Sequence, residues 1–208
     1  DGDAMHPHTD SNAAPRPGTP YAAAIASRFF RLTAAAYLLI MLAQVGAFAH
    51  LFNLIATRAN ADTAATALIF LASASVIGRL AGGWIASRFS LRRFTIVMML
   101  GQVGALYIVS PGNSTATLLT SASLFGVTVG NLLMMLPLLY AQAFGVRDYP
   151  RIYSLGYMIS TFGLAGGPIS LGFVHDFFGG DGSAFAFAAF ASLLSVVLFT
   201  AAGPVPNS

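Results

Sequence analysis

The chain has 208 residues, of which 56% are hydrophobic and only 8% charged, and its mean hydropathy is +0.74. An ordinary soluble domain carries about 25% charged residues, so a water-exposed surface cannot be assembled from this sequence and lipid must cover much of it. The net charge of +3 comes from Arg and Asp alone. The Arg residues sit in short clusters between apolar runs and form no stripe, which argues against a nucleic-acid partner, and the lack of Cys excludes disulfides and thiolate chemistry.

Asp1 to about Pro20 is polar and Pro-rich, with no apolar h-region, and reads as a disordered arm rather than a signal peptide. Because the first residue is Asp1 and not Met, the chain is expected to be processed or a piece of something longer. From Tyr21 to Arg31, Arg28 and Arg31 flank Phe29 and Phe30, a pattern that suits an amphipathic lead-in at a membrane surface. Residues 1–31 are therefore expected to be a cytoplasmic linker and lead-in, 32–203 a transmembrane domain and 204–208 a cytoplasmic tail.

Six apolar runs follow: Leu32 to about Ile55, Ala64 to Ala86, Phe94 to Val109, Thr115 to Phe144, Ile152 to Val174, and Ser183 to Ala202. A helix needs about 20 residues to cross some 30 Å of hydrocarbon. None of the runs alternates as barrel strands do, so the predicted fold class is an all-α membrane protein of six transmembrane helices. Polar or Gly-rich breaks at 58–62, 110–114 and 179–183, and basic breaks at 87–93 and 146–151, separate the runs. If the helices alternate direction, Arg16, Arg28, Arg31, Arg88, Arg92, Arg93, Arg147 and Arg151 all fall on one side, and Arg58 falls on the other with Asp62, Asp176 and Asp181. By the positive-inside rule both termini are expected in the cytoplasm of a multi-pass protein of the plasma or inner membrane. Gly78 and Gly82, Gly126 and Gly130, and Gly163, Gly166 and Gly167 are spaced for tight helix packing.

No Walker A sequence, metal-binding His-Glu-x-x-His, Gly-x-Ser-x-Gly or paired carboxylate occurs, so the sequence implies no enzyme, no catalytic residues, no cofactor and no metal. The adjacent His175 and Asp176 read as a solvated helix end. Arg79 is the informative residue. It lies nine residues before Arg88, roughly 13 Å into the membrane. Ionisable groups at such depth face a cavity or a partner, or else snorkel to the interface. No Asp or Glu lies within the runs to neutralise it, and an unpaired guanidinium attracts an anion, a carboxylate above all. His50 and Asn53 share a face toward the outer end of the first helix. Tyr153, Tyr157 and Ser160 form one stripe on the fifth, which either lines a polar cavity or packs between helices. Gln44, Gln102, Asn131 and Tyr140 are expected to make interhelical hydrogen bonds.

The segment Ile77 to Arg93, IGRLAGGWIASRFSLRR, resembles the loop signature of the major facilitator superfamily, roughly G-x-x-x-D-R-x-G-R-R. Gly83, Arg88, Arg92 and Arg93 match it; Ser87 replaces the usual Asp and Ser90 a frequent Gly. The family carries a weaker copy of this signature between its eighth and ninth helices, and the lost Asp fits that copy. Gly126 to Phe178, with Pro137, Phe144, Arg151, Tyr153, Gly166, Pro168, Gly172 and Asp176, is similar to the tenth and eleventh helices of the branch that holds the monocarboxylate and oxalate–formate carriers. The resemblance implies that this is the C-terminal six-helix half of a twelve-helix bundle whose N-terminal half is missing from the chain. It implies alternating access about a central site, with Arg79 at the place where carboxylate carriers hold an Arg. Ser160 stands where oxalate-type carriers have a Lys, which turns the expectation from a dicarboxylate to a monocarboxylate or another small organic anion.

The expected function is thus secondary active or facilitative transport of a small solute across the lipid bilayer. Arg79 would hold the anion, with Tyr153, Tyr157, Ser160, His50 and Asn53 as further substrate-binding residues. Two alternatives remain: a six-helix carrier that pairs with a second copy, and a membrane module that transports nothing, such as a receptor or scaffold.

Overall fold

The computed structural model describes residues 18–206. Most of the expected disordered arm, and Arg16 of the orientation pattern, lie outside the described residues. The elements are α1 (Tyr21–Ala26), α2 (Arg28–Arg58), α3 (Ala61–Arg88), α4 (Leu91–Val109), α5 (Thr115–Phe144), α6 (Tyr149–Phe178) and α7 (Asp181–Ala201). The last six are long and apolar enough to cross a membrane, which makes this a multi-pass membrane protein.

Local chemistry sets the helix ends. Ser27, Asn60 and Ser114 cap α2, α3 and α5, accepting hydrogen bonds from the backbone N–H groups of Phe30 (3.1 Å), Thr63 (2.8 Å) and Thr117 (3.2 Å). Pro150 sits in the first turn of α6, where its missing N–H costs nothing. That helix ends on Gly179, whose φ of 95° only Gly adopts without strain.

The pairing of the helices carries an internal symmetry. α2 packs mainly on α6 and α7, α5 mainly on α3 and α4, and α4 and α7 on each other, whereas α2 and α5 barely touch. Exchanging α2, α3 and α4 for α5, α6 and α7 maps each of these pairings onto another. Three crossings separate the equivalent helices, so the two triplets are inverted repeats. α3 and α6 flank this arrangement and are the least covered of the six.

The glycine pairs mark the tight contacts. A Cβ on Gly126 or Gly130 would run into the α3 carbonyls of Leu71 and Ser75, and one on Gly163 or Gly167 into the α2 carbonyls of Leu38 and Leu42. Gly78 abuts Val127 and Gly82 abuts Asn131 on α5. Gly166 is the exception, since nothing lies within 4 Å of where its side chain would be.

Several boundaries differ from the hydropathy reading. α2 begins at Arg28, not Leu32, so both Arg residues of the expected lead-in belong to the first spanning helix. Only Tyr21–Ala26 forms a separate helix, and it docks on the protein rather than presenting a free amphipathic face. Gly18 bridges to Gly145, the Thr19 N–H donates to the Phe144 carbonyl (2.8 Å), and the Tyr21 N–H donates to the Asp148 carboxylate (2.8 Å). The Arg151 guanidinium lies 4.6 Å from the centre of the Tyr21 ring. Beneath this strap, Phe29, Phe30, Tyr140 and Phe144 join the starts of α2 and the end of α5, with Phe30 stacked on Tyr140 at 5.3 Å.

Candidate functional site

Tyr149, Tyr153 and Tyr157 recur every four residues on α6, so their side chains stand above one another on one face. Their rings form a ladder, with centroids 5.8 Å apart from Tyr149 to Tyr153 and 5.7 Å apart from Tyr153 to Tyr157. The upper rungs line a narrow cleft of about 30 Å³ together with Ser160, Thr161 and Leu164 of α6, Leu133 and Leu136 of α5, and Tyr37 and Met41 of α2. No charged side chain enters it. Three of the expected site residues, Tyr153, Tyr157 and Ser160, are therefore brought together. Ser160 is buried, and its hydroxyl, like that of Thr161, donates to the Tyr157 carbonyl within the helix (2.7 and 2.9 Å). That leaves the aromatic rings and the tyrosine hydroxyls as the surface offered to a guest.

Tyr149 and Tyr37 were not anticipated. Tyr149 continues the same four-residue period one turn earlier, so the pattern was available in the sequence; its hydroxyl donates to the Pro137 carbonyl (3.4 Å). Tyr37 is a lone tyrosine in an apolar helix and gives no such signal.

Arg79 stands on the neighbouring part of the same open face. Its Nε–H donates to the Gly130 carbonyl of α5 (3.2 Å). Gly130 abuts Ser75, one turn earlier on α3. The bond ties the Arg79 side chain across to α5, beside the contact of Asn131 with Gly78. Leu133 lies one turn after Gly130 on the α5 face that the cleft uses, which places Arg79 to one side of that stripe and the tyrosines to the other. Among the described residues no carboxylate lies within salt-bridge distance of Arg79.

His50 and Asn53 do not join the cleft. Thirteen residues separate His50 from Tyr37, about 20 Å along α2. His50 Nε2 lies 3.3 Å from the Pro168 carbonyl, so it ties α2 to α6. The exposed Asn53 meets only its own helix, its carbonyl accepting from the Thr57 hydroxyl (2.7 Å). Of the four expected interhelical hydrogen bonds, two form. The Gln102 amide donates to the Ile40 carbonyl and the Ser192 hydroxyl (both 3.2 Å), and the Asn131 amide to the Gly78 carbonyl (2.9 Å). Gln44 meets only Met41 of its own helix, and the Tyr140 hydroxyl has no partner among the described residues.

The loop-signature residues gather where α3 turns into α4. Arg88 covers the Trp84 ring at 4.5 Å, Arg92 donates to the Thr200 carbonyl at the end of α7 (3.0 Å), and Arg93 flanks Phe89 and Phe94. Gly83 faces open space, and Ser87 donates to the Trp84 carbonyl (2.7 Å). A wide depression of about 520 Å³ opens beside them between Gly83, Phe89, Met134 and Leu138. It holds only serine and glutamine polar groups and is an open surface rather than a built site.

This architecture of two inverted triplets matches solved transporters. The chain superposes on the fucose:proton symporter FucP of E. coli with a TM-score of 0.73 at 18% identity, covering 89% of this chain and 46% of that one. The fold is that of one half of a major facilitator transporter. A second structure of FucP, described as a major facilitator superfamily transporter in the outward conformation, gives a TM-score of 0.67 over the same shares. Among curated proteins, the MFS transporter asaE of Aspergillus flavus is 30% identical over 129 residues, which is 61% of this chain and 29% of that protein. No family model matches the chain. The chain spans about half the length of the solved transporter and under a third of the curated relative.

Proposed function

We propose that this chain is one six-helix half of a major facilitator transporter that moves a small organic anion, such as a monocarboxylate, by alternating access. The fold and the partial likeness to asaE support the transporter; the branch of monocarboxylate carriers rests on the sequence resemblance. The observation that carries the anion is Arg79. Its guanidinium belongs to the interior of a membrane-length apolar helix and is bonded to one neutral carbonyl of α5, with no carboxylate beside it among the described residues. A cation held there without a counter-ion is costly in a low-dielectric setting, and a bound carboxylate relieves that cost through charge-assisted hydrogen bonds. The tyrosine ladder forms the adjoining wall, and the second six-helix half closes the cavity over the exposed face of α3 and α6.

His50 takes a different role from the one first expected, as a tie between α2 and α6 remote from the cargo. The test is uptake of lactate by the full-length protein in proteoliposomes. Arg79→Gln is expected to reduce uptake at least about tenfold, the loss of one charge-assisted contact. Full lactate uptake by that variant would remove the anion assignment and leave the transporter fold intact.

A further inference from the structure

The cleft holds polar groups that the reading above does not use. Tyr37 lines it from α2 and is 0% exposed, yet its hydroxyl has no hydrogen-bond partner among the described residues. Tyr140 of α5 is 0% exposed as well, and its hydroxyl is also unpartnered. The Tyr140 ring fills the space that a side chain at position 156 would take: a Cβ there would fall 2.8 Å from the Tyr140 hydroxyl. Gly156 precedes Ser160 by one turn, so this second phenol packs against α6 one turn from the cleft, behind its lining.

The prolines add acceptors. Pro137 and Pro168 have no N–H, so the carbonyls four residues earlier lose their usual helical donor. Those carbonyls belong to Leu133 and Leu164, and both residues line the cleft. Two proline positions in different helices thus bear on one small space. The space itself is small, about 30 Å³, and has room for a hydroxyl.

We propose that the Tyr37 wall of the cleft is a subsite for an uncharged hydroxyl of the cargo, with Tyr37 as its principal partner, Tyr140 behind it, and the Leu133 and Leu164 carbonyls as acceptors. The proposal rests on the reading that cargo enters this cleft. It does not depend on whether Arg79 holds an anion. It assigns the cleft a preference that its neutrality alone does not give, because a donor and acceptor set left unpaired in a buried space penalises an otherwise equal guest that lacks the hydroxyl.

Lactate and propionate share a carboxylate and differ by one hydroxyl, so their affinities for the full-length protein in detergent read the subsite directly. Wild type is expected to bind lactate about threefold to tenfold more tightly than propionate, the worth of one neutral hydrogen bond. In Tyr37→Phe the ratio falls to about one. That substitution keeps the ring and removes an unpaired buried donor, so the ligand-free Tm is expected to stay level or rise. Tyr140→Phe provides a second variant with the same readout. Equal wild-type affinity for the two acids overturns the proposal, as does a ratio that survives both substitutions. A lowered Tm with an unchanged ratio also overturns it, since the hydroxyls then hold only a structural water. L-fucose separates this idea from the anion reading. If neither acid binds and fucose does, the anion reading fails, and the subsite stands or falls on whether Tyr37→Phe weakens fucose by the same factor. If none of the three binds, both ideas fail.

Discussion

Arg58 illustrates how a single side chain can tie one end of the bundle. Its guanidinium donates to the carbonyls of Val109 (2.7 Å), Ser110 (2.8 Å) and Gly112 (2.8 Å), at the end of α4 and in the turn after it. Removing a charged donor from several carbonyls is expected to cost roughly 2 kcal/mol in Arg58→Ala, measured as unfolding in detergent. Arg58→Lys should recover only part, because one ammonium cannot span three carbonyls as a planar fork does. The sequence marks Arg58 as the exception among the loop arginines but does not reveal this function, which depends on a turn 51 residues away. Arg79 was legible because a lone charge in an apolar run is conspicuous. Tyr37 was not, because a tyrosine is ordinary in such helices; Tyr140 was read as a hydrogen-bonding residue, and its missing partner is a fact of three dimensions.

At the level of helices, the apolar runs and their breaks could be read directly, since a span of about 20 residues leaves little freedom. Helix ends could not: α2 starts four residues before its apolar run because Ser27 caps it and the aromatic pair Phe29 and Phe30 packs inside. The glycine spacings announced close approach without naming the partner helix. They also make a paired prediction. Gly163→Ala drives a methyl group into the Leu38 carbonyl and is expected to destabilise the protein by about 1–3 kcal/mol. Gly166→Ala, three residues on and facing open space, should be neutral or stabilising by up to about 1 kcal/mol through helix propensity. Comparable losses for both variants would show that the close approach at Gly163 does not set the difference.

For the molecule as a whole, the arginine pattern predicts an orientation that labelling can check. With no cysteine of its own, this chain contributes no background. A membrane-impermeant maleimide is expected to label Asn113→Cys, in the turn between α4 and α5, on intact cells. Ser90→Cys, between α3 and α4, should react only after permeabilisation. The opposite pattern would invert the topology.

The strap from Gly18 to Ala26 has a mechanical corollary. Although it leads into α2, it is fastened to the hairpin between α5 and α6, more than a hundred residues downstream. A leash joined ahead of Gly18 would therefore tug on the foot of the tyrosine-bearing helix before it strained the one it adjoins in sequence. Any lateral excursion of a tethered neighbour would be felt first at Asp148 and Arg151.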